Sequence, residues 1–194
     1  MNSDAGDQGG KGRRRKSSGA DDEPTPVPPP AEPEAKPADG EAPDPMELAI
    51  RLAKRSAKSG GGPFGAVIVR DGAIVCSGAN AVVSSGDPTA HAEIVAIREA
   101  ARVLGTFDLS DCELFSSCEP CPMCMGAIYW ARIKRVWYAC DRDDAAAVGF
   151  DDAFVYEELE RKPSKRKIPM RRVLRKKGLK AFQVWLANPE RRTY

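Results

Sequence analysis

The chain has 194 residues, is 42% hydrophobic and is close to neutral, with 30 basic against 28 acidic side chains. That suffices for one domain with a sizeable core and a remainder, while the small net charge argues neither for nor against nucleic acid until it is mapped along the chain. No run of about 18 apolar residues occurs and residues 1–30 lack the apolar core of a signal peptide, so a cytoplasmic protein without a membrane span is expected.

Residues 1–45 hold nine of the sixteen prolines and almost no large apolar residue. Such a segment cannot bury enough surface to offset its ordering entropy, and a disordered tail with polyproline II stretches is expected there. RRRK at 13–16 reads as a solvated patch. The folded domain is expected over 46–194. Met46, Leu48, Ala49, Leu52 and Ala53 recur at helical spacing until three glycines end the helix. FGAVIVRDGAIVCSGAN then reads as two strands joined at Asp71-Gly72. Gly60, Gly62 and Gly65 satisfy G-x-G-x-x-G but precede a strand, which is the wrong context for a dinucleotide fingerprint. Asp87-Pro88 supplies a cap and first-turn proline for a helix running to Gly105, which puts His91 in its first turns. CELFSS is a third strand, a helix begins near Pro122, and RVWYAC is a fourth strand. A last strand near MRRVLR and a helix near AFQVWLAN complete an α/β layer fold with a mixed sheet.

His91 is the sole histidine, and three of the six cysteines crowd into CEPCPMC. That spacing suits metal or redox chemistry in a reducing compartment better than a disulfide framework. A catalytic zinc takes three protein ligands and keeps a fourth position for water; His91, Cys121 and Cys124 supply such a set. A helix opening at Pro122 would favour thiolate through its positive end. Glu93, roughly 200° round a helix from His91, would then flank the metal's water as a base that is not a ligand. Two other readings stand beside this one: a structural four-thiolate zinc site that includes Cys112, or a fragment of an iron–sulfur motif. A purely structural site has no need of Glu93. HAE followed by PCPMC matches the H-x-E…P-C-x-x-C signature of zinc deaminases that act on nucleobases.

Over 46–194 the sequence resembles the cytidine deaminase-like superfamily, and within it the bacterial-type guanine deaminases. GGPFGAVIVRDG, DPTAHAEIVAIREA, SSCEPCPMCMGAIYWARIKRVWYA, AAAVGFDD and the terminal Tyr194 carry the resemblance. DPTAHAEI and the cysteine motif also resemble tRNA adenosine deaminases; GFDD, YWAR and the aromatic terminus make the choice. The resemblance implies a three-layer α/β/α fold around a mixed five-stranded sheet and one Zn²⁺ per subunit. It also implies a homodimer, with domain swapping open, and hydrolysis of guanine to xanthine and ammonia in purine metabolism. Glu93 and Asp152 would be catalytic. Phe64 would pack on the purine, Asn80 would meet its O6 or N7 edge and Asp152 its N1–H and amino side. Trp130 would reach a neighbour's pocket and Tyr194 would close over the base. Guanine offers donors at N1 and N2, which suits an acceptor-only carboxylate, whereas adenine would turn a lone pair toward it. Taken singly, the same residues also read as a strand start (Phe64), a turn (Asn80), core (Trp130) and a helix cap (Asp152). Guanosine deaminases carry much the same core motifs, so base and nucleoside stay unseparated.

Residues 161–180 hold eleven Lys or Arg and no acid. The expected reading is a solvated surface balanced by the acidic tail and EELE, with nucleic acid not excluded. The alternatives are therefore a tRNA-editing deaminase and, outside enzymology, a zinc-stabilised nucleic-acid-binding module.

Overall fold

A computed structural model of the chain describes residues 43–193. The tail expected over 1–45 lies outside the described residues except for its last three, and Tyr194 lies outside them too. Helix α1 (Pro45–Lys58) starts with proline at its first position, and the Asp44 carboxylate accepts from Met46 N at 2.8 Å and Glu47 N at 3.0 Å. This is N-capping with a pre-set first turn.

Strands β1 (Gly65–Arg70) and β2 (Ala73–Ala79) form the expected hairpin. Asp71 and Gly72 both have positive φ, 50° and 78°, as a two-residue type I′ turn demands. β3 (Cys112–Cys118) runs antiparallel to β1, and β4 (Arg135–Cys140) runs parallel to β3. The sheet order is β2-β1-β3-β4, so β2, β3 and β4 point the same way and their carboxyl ends share one edge.

β1 is central and buried on both faces. Ala66 and Ile68 point into a core with Ala92, Ala96 and Leu114, while Val67 and Val69 meet Leu48, Ala49 and Leu52 of α1. α1 thus covers one face; α3 (Ala92–Leu104) and α4 (Pro122–Trp130) cover the other. These are the three layers expected. Burying side chains such as Ile68 and Leu114 contributes about 1.5–3 kcal/mol each. Two close approaches fix the layer spacing. A Cβ on Gly65 would run into the Ala49 carbonyl and the Ala53 amide of α1, and one on Gly78 would come within 2.6 Å of the Ala92 carbonyl of α3.

Two expectations need correcting. The sheet among the described residues has four strands and not five: MRRVLR forms no strand, and all six of its residues are exposed. Met170, Arg172 and Leu174 alternate with Arg171, Val173 and Arg175, so a cation interrupts each face and neither is drawn onto this chain's own layers. Second, α3 begins at Ala92 and not at Asp87. Asp87 instead accepts from Thr89 N and Oγ1 at 2.8 and 2.7 Å, and Ala81 N–H donates to Ala90 O. This local turn, preceded by the short helix α2 (Val82–Ser85), competes successfully with helix initiation.

Beyond β4 lie α5 (Arg142–Ala147), α6 (Ala153–Glu160), a 3₁₀ turn (Pro163–Lys165) and α7 (Arg175–Ala187). None of them buries a residue.

Candidate active site

The carboxyl ends of β2, β3 and β4 open into a cleft of about 320 Å³, at the edge where α/β sheets usually bind ligands. His91 and Cys121 are the N-cap residues of α3 and α4, both with extended backbone (ψ 155° and 168°), and neither side chain caps its helix. Both are therefore free to turn inward. Cys124 follows one turn into α4 and is fully buried.

Cys121 Sγ and Cys124 Sγ lie 3.5 and 3.6 Å from His91 Nδ1, and the three ligand atoms fall within 4.8 Å of one another. Two thiolates and an imidazole on a tetrahedral zinc stand about 3.6 Å apart, given Zn–S near 2.3 Å and Zn–N near 2.0 Å. The donor set and its spacing therefore fit zinc. The group forms without Cys112, which lies in the core with Leu109 and Leu114. A four-thiolate arrangement is thus not what the fold assembles.

The electrostatics agree with a ligand cluster. A hydrogen bond from Cys124 holds the Cys121 thiol down at about 4 against the opposing effect of burial, with His91 assisting. The same hydrogen bond, then burial, push Cys124 up. His91 is raised by its hydrogen bond to Cys121.

Glu93 is the second residue of α3, only 6% exposed, and lines the same cleft. Ser116 Oγ donates to its carboxylate at 3.4 Å. Burial raises its pKa, and the Cys121 thiolate adds to that. Because His91 caps the helix and does not sit inside it, the 200° helical separation expected for these two residues does not apply.

Phe64, at the amino end of β1, lines the cleft and meets Phe150 edge-to-face at 4.9 Å between ring centroids. Asp152 also lines it. This residue occupies the N-cap position of α6, yet its side chain makes no capping bond; its carboxylate faces the cleft, where burial and then the Cys121 thiolate raise its pKa.

Two expected contact residues do not line this cleft within the single chain. Asn80 sits behind Phe64: its backbone N–H donates to Phe64 O at 3.0 Å and its side-chain oxygen accepts from Val82 N at 3.3 Å. Trp130 is 66% exposed and lines a separate apolar groove of about 560 Å³ between α3 and α4, with Ile94, Ile97 and Phe107. Sequence reasoning missed Phe150, Glu119, Arg142 and Ser116. Phe150 stood inside GFDD; the other three carried no signal, since their value depends on which strands come to lie side by side.

Comparison with known proteins places this geometry. Residues 41–140 match the model of the cytidine and deoxycytidylate deaminase zinc-binding region. A guanine deaminase from Bacillus subtilis (strain 168) is 51% identical over 150 residues, covering 77% of this chain and 96% of that protein. The X-ray structure of guanine deaminase from Bacillus subtilis superposes with a TM-score of 0.75 over 77% of this chain and 96% of the other. A tRNA-specific adenosine deaminase from Aquifex aeolicus is 45% identical, but over only 48% of this chain and 62% of its own length. The second kinship thus spans about half of the chain, and the first more than three quarters. The chain belongs to the guanine deaminase family of the cytidine and deoxycytidylate deaminase zinc-binding proteins.

Proposed function

We propose that the chain hydrolyses guanine to xanthine and ammonia and serves purine metabolism in the cytoplasm. One observation carries the reading: an acceptor-only carboxylate, Asp152, free of its own helix, shares a cleft with the His91–Cys121–Cys124 cluster and with two aromatic rings. Guanine offers N1–H and its amino group as donors to such a carboxylate; adenine would offer a lone pair. His91, Cys121 and Cys124 would hold one zinc ion, which when bound supplies the Lewis acidity that makes water nucleophilic near neutral pH. Glu93, not itself a ligand, takes a proton from the nucleophile and returns it to the departing amine, steadied by the Ser116 hydroxyl. Phe64 and Phe150 hold the purine plane, and Asn80, whose backbone N–H is tied to Phe64 O, is assigned to its O6 or N7 edge. Ammonia release from guanine, guanosine, adenine, cytosine and tRNA tests the reading. It requires guanine to be the best substrate; turnover of guanosine or tRNA in preference to guanine would overturn it.

The same reading includes a homodimer with exchanged C-terminal arms. Leu179, Phe182 and Leu186 recur along one side of α7, and all are exposed together with Trp185. Among the described residues β4 ends the sheet with an unpaired edge, Trp137 and Tyr138 are exposed on it, and Trp130 opens onto an apolar groove. Charge is divided in the same sense: residues 43–160 carry 18 acidic and 11 basic side chains, residues 161–194 one acidic and 13 basic. A partner's extended 168–174 segment would supply the missing fifth strand, and a partner's Trp130 and Tyr194 would approach the purine. Sedimentation should give a dimer that loosens with salt; a monomer at micromolar concentration would remove this part of the reading. The cytoplasmic placement rests on free thiols at Cys76, Cys112, Cys118 and Cys140 beside the ligand pair. No helix among the described residues is long and apolar enough to cross a membrane.

A further inference from the structure

α6 raises a mechanical question: it carries Asp152 yet buries no residue, so something other than a hydrophobic core must hold that carboxylate in place. Two contacts are available. The first is the Phe64–Phe150 pair just ahead of the helix. The second is Arg142, the only Lys or Arg among the described residues lining the cleft. Its guanidinium lies 5.2 Å from the ring centroid of Tyr156, four residues after Asp152 and so on the same side of α6.

The backbone of Arg142 is well anchored. It opens α5, where Asp141 and Asp144 form a reciprocal capping box, and its N–H donates to Glu119 Oε2 at 3.3 Å. Glu119 stands two residues before the ligand Cys121, and its own N–H is tied to Cys140 O at 2.8 Å. A continuous path therefore runs from the metal-binding loop through Glu119 and Arg142 to Tyr156 and α6. The positive charge also lowers the pKa of Asp152, opposing burial and the Cys121 thiolate.

We propose that Arg142 is a positioning residue for substrate recognition: by clamping Tyr156 it fixes α6 so that the Asp152 carboxylate faces the guanine donors. This rests on the reading of Asp152 given above. A cation over an aromatic ring, with the cation exposed as Arg142 is, is worth about two- to fivefold in an equilibrium. The loss should fall on substrate affinity and not on the chemical step.

The test uses the full-length zinc-loaded enzyme with guanine. Arg142→Ala should raise KM about three- to fivefold with kcat essentially unchanged, and with zinc content retained. Tyr156→Leu should do the same, while Tyr156→Phe, which keeps the ring, raises KM far less. In an Asp152→Asn background, Arg142→Ala should add almost nothing, because both variants break one chain of contacts. An unchanged KM in Arg142→Ala, a fall confined to kcat, or full additivity with Asp152→Asn overturns the inference. A neutral Asp152→Asn overturns the guanine-edge reading itself, and the inference with it; a damaging Asp152→Asn beside a neutral Arg142→Ala overturns the inference alone.

Discussion

The metal-binding body, roughly residues 44–140, and the segment beyond it are built on different physics. In the body, β1 is buried on both faces, α1 closes on β1 and α3 on β2 through glycines, and every cluster ligand sits in the cap or first turn of a helix. Beyond Cys140 four helical segments bury nothing, and their apolar side chains face outward. The group proposed to move the proton, Glu93, belongs to the first region; the group proposed to tell one purine from another, Asp152, belongs to the second. In that reading, reaction chemistry belongs to the buried region and discrimination to the exposed one.

Experiments that separate the two regions sharpen this contrast. The largest effect should come from Glu93→Gln, with kcat falling by about 10² to 10⁴ while zinc stays bound, as expected when only proton transfer is removed. Cys121→Ser, in contrast, should lose most of the zinc by metal analysis. Glu93→Gln turning over normally would break the assignment of chemistry to the body. Next in size, Leu114→Ala should cost about 2–5 kcal/mol in denaturant unfolding, since a fully buried side chain leaves a cavity. Phe182→Ala in α7 should barely move the unfolding of the body and should instead raise the dimer dissociation constant. Equal losses from both substitutions would mean that the outer segment is packed as tightly as the core. Smaller again, deletion of Tyr194 or a C-terminal tag should raise KM or lower kcat severalfold with melting temperature nearly constant, through loss of a cover over the base. The smallest effect expected is from removing residues 1–42, which should leave both kinetic constants in place.

The sequence made the body legible for a simple reason. Alternation along GAVIVR, the Asp71-Gly72 turn and the ligand spacing are local features with local causes, and each element appears within a few residues of its expected place. The start of α3 was misplaced because Asp-Pro is a good helix opener, and only the side chain of Asp87, turned onto Thr89, shows that the position was already taken. Beyond Cys140 local signals mislead. MRRVLR has strand-like spacing but pairs with no strand among the described residues. Arg142 and Glu119 escaped notice for a related reason: only the parallel pairing of β3 with β4 brings their backbones together.

The two glycines at the open end of the hairpin carry a further consequence. Gly65 admits α1 on one face and Gly78 admits α3 on the other, so two absent methyl groups set the thickness of the molecule at the end that holds the ligands. A zinc triangle tolerates errors of only about 0.2 Å in its bond lengths, while a methyl inserted at Gly78 would press directly on the first turn of α3, next to His91. The hairpin thus acts as a gauge block for the metal site, far more exacting than its distance from the reaction would suggest. Inheritable variation should be scarcer at these two positions than at several residues that touch the purine, because a substrate contact can be retuned and a spacing of this kind cannot.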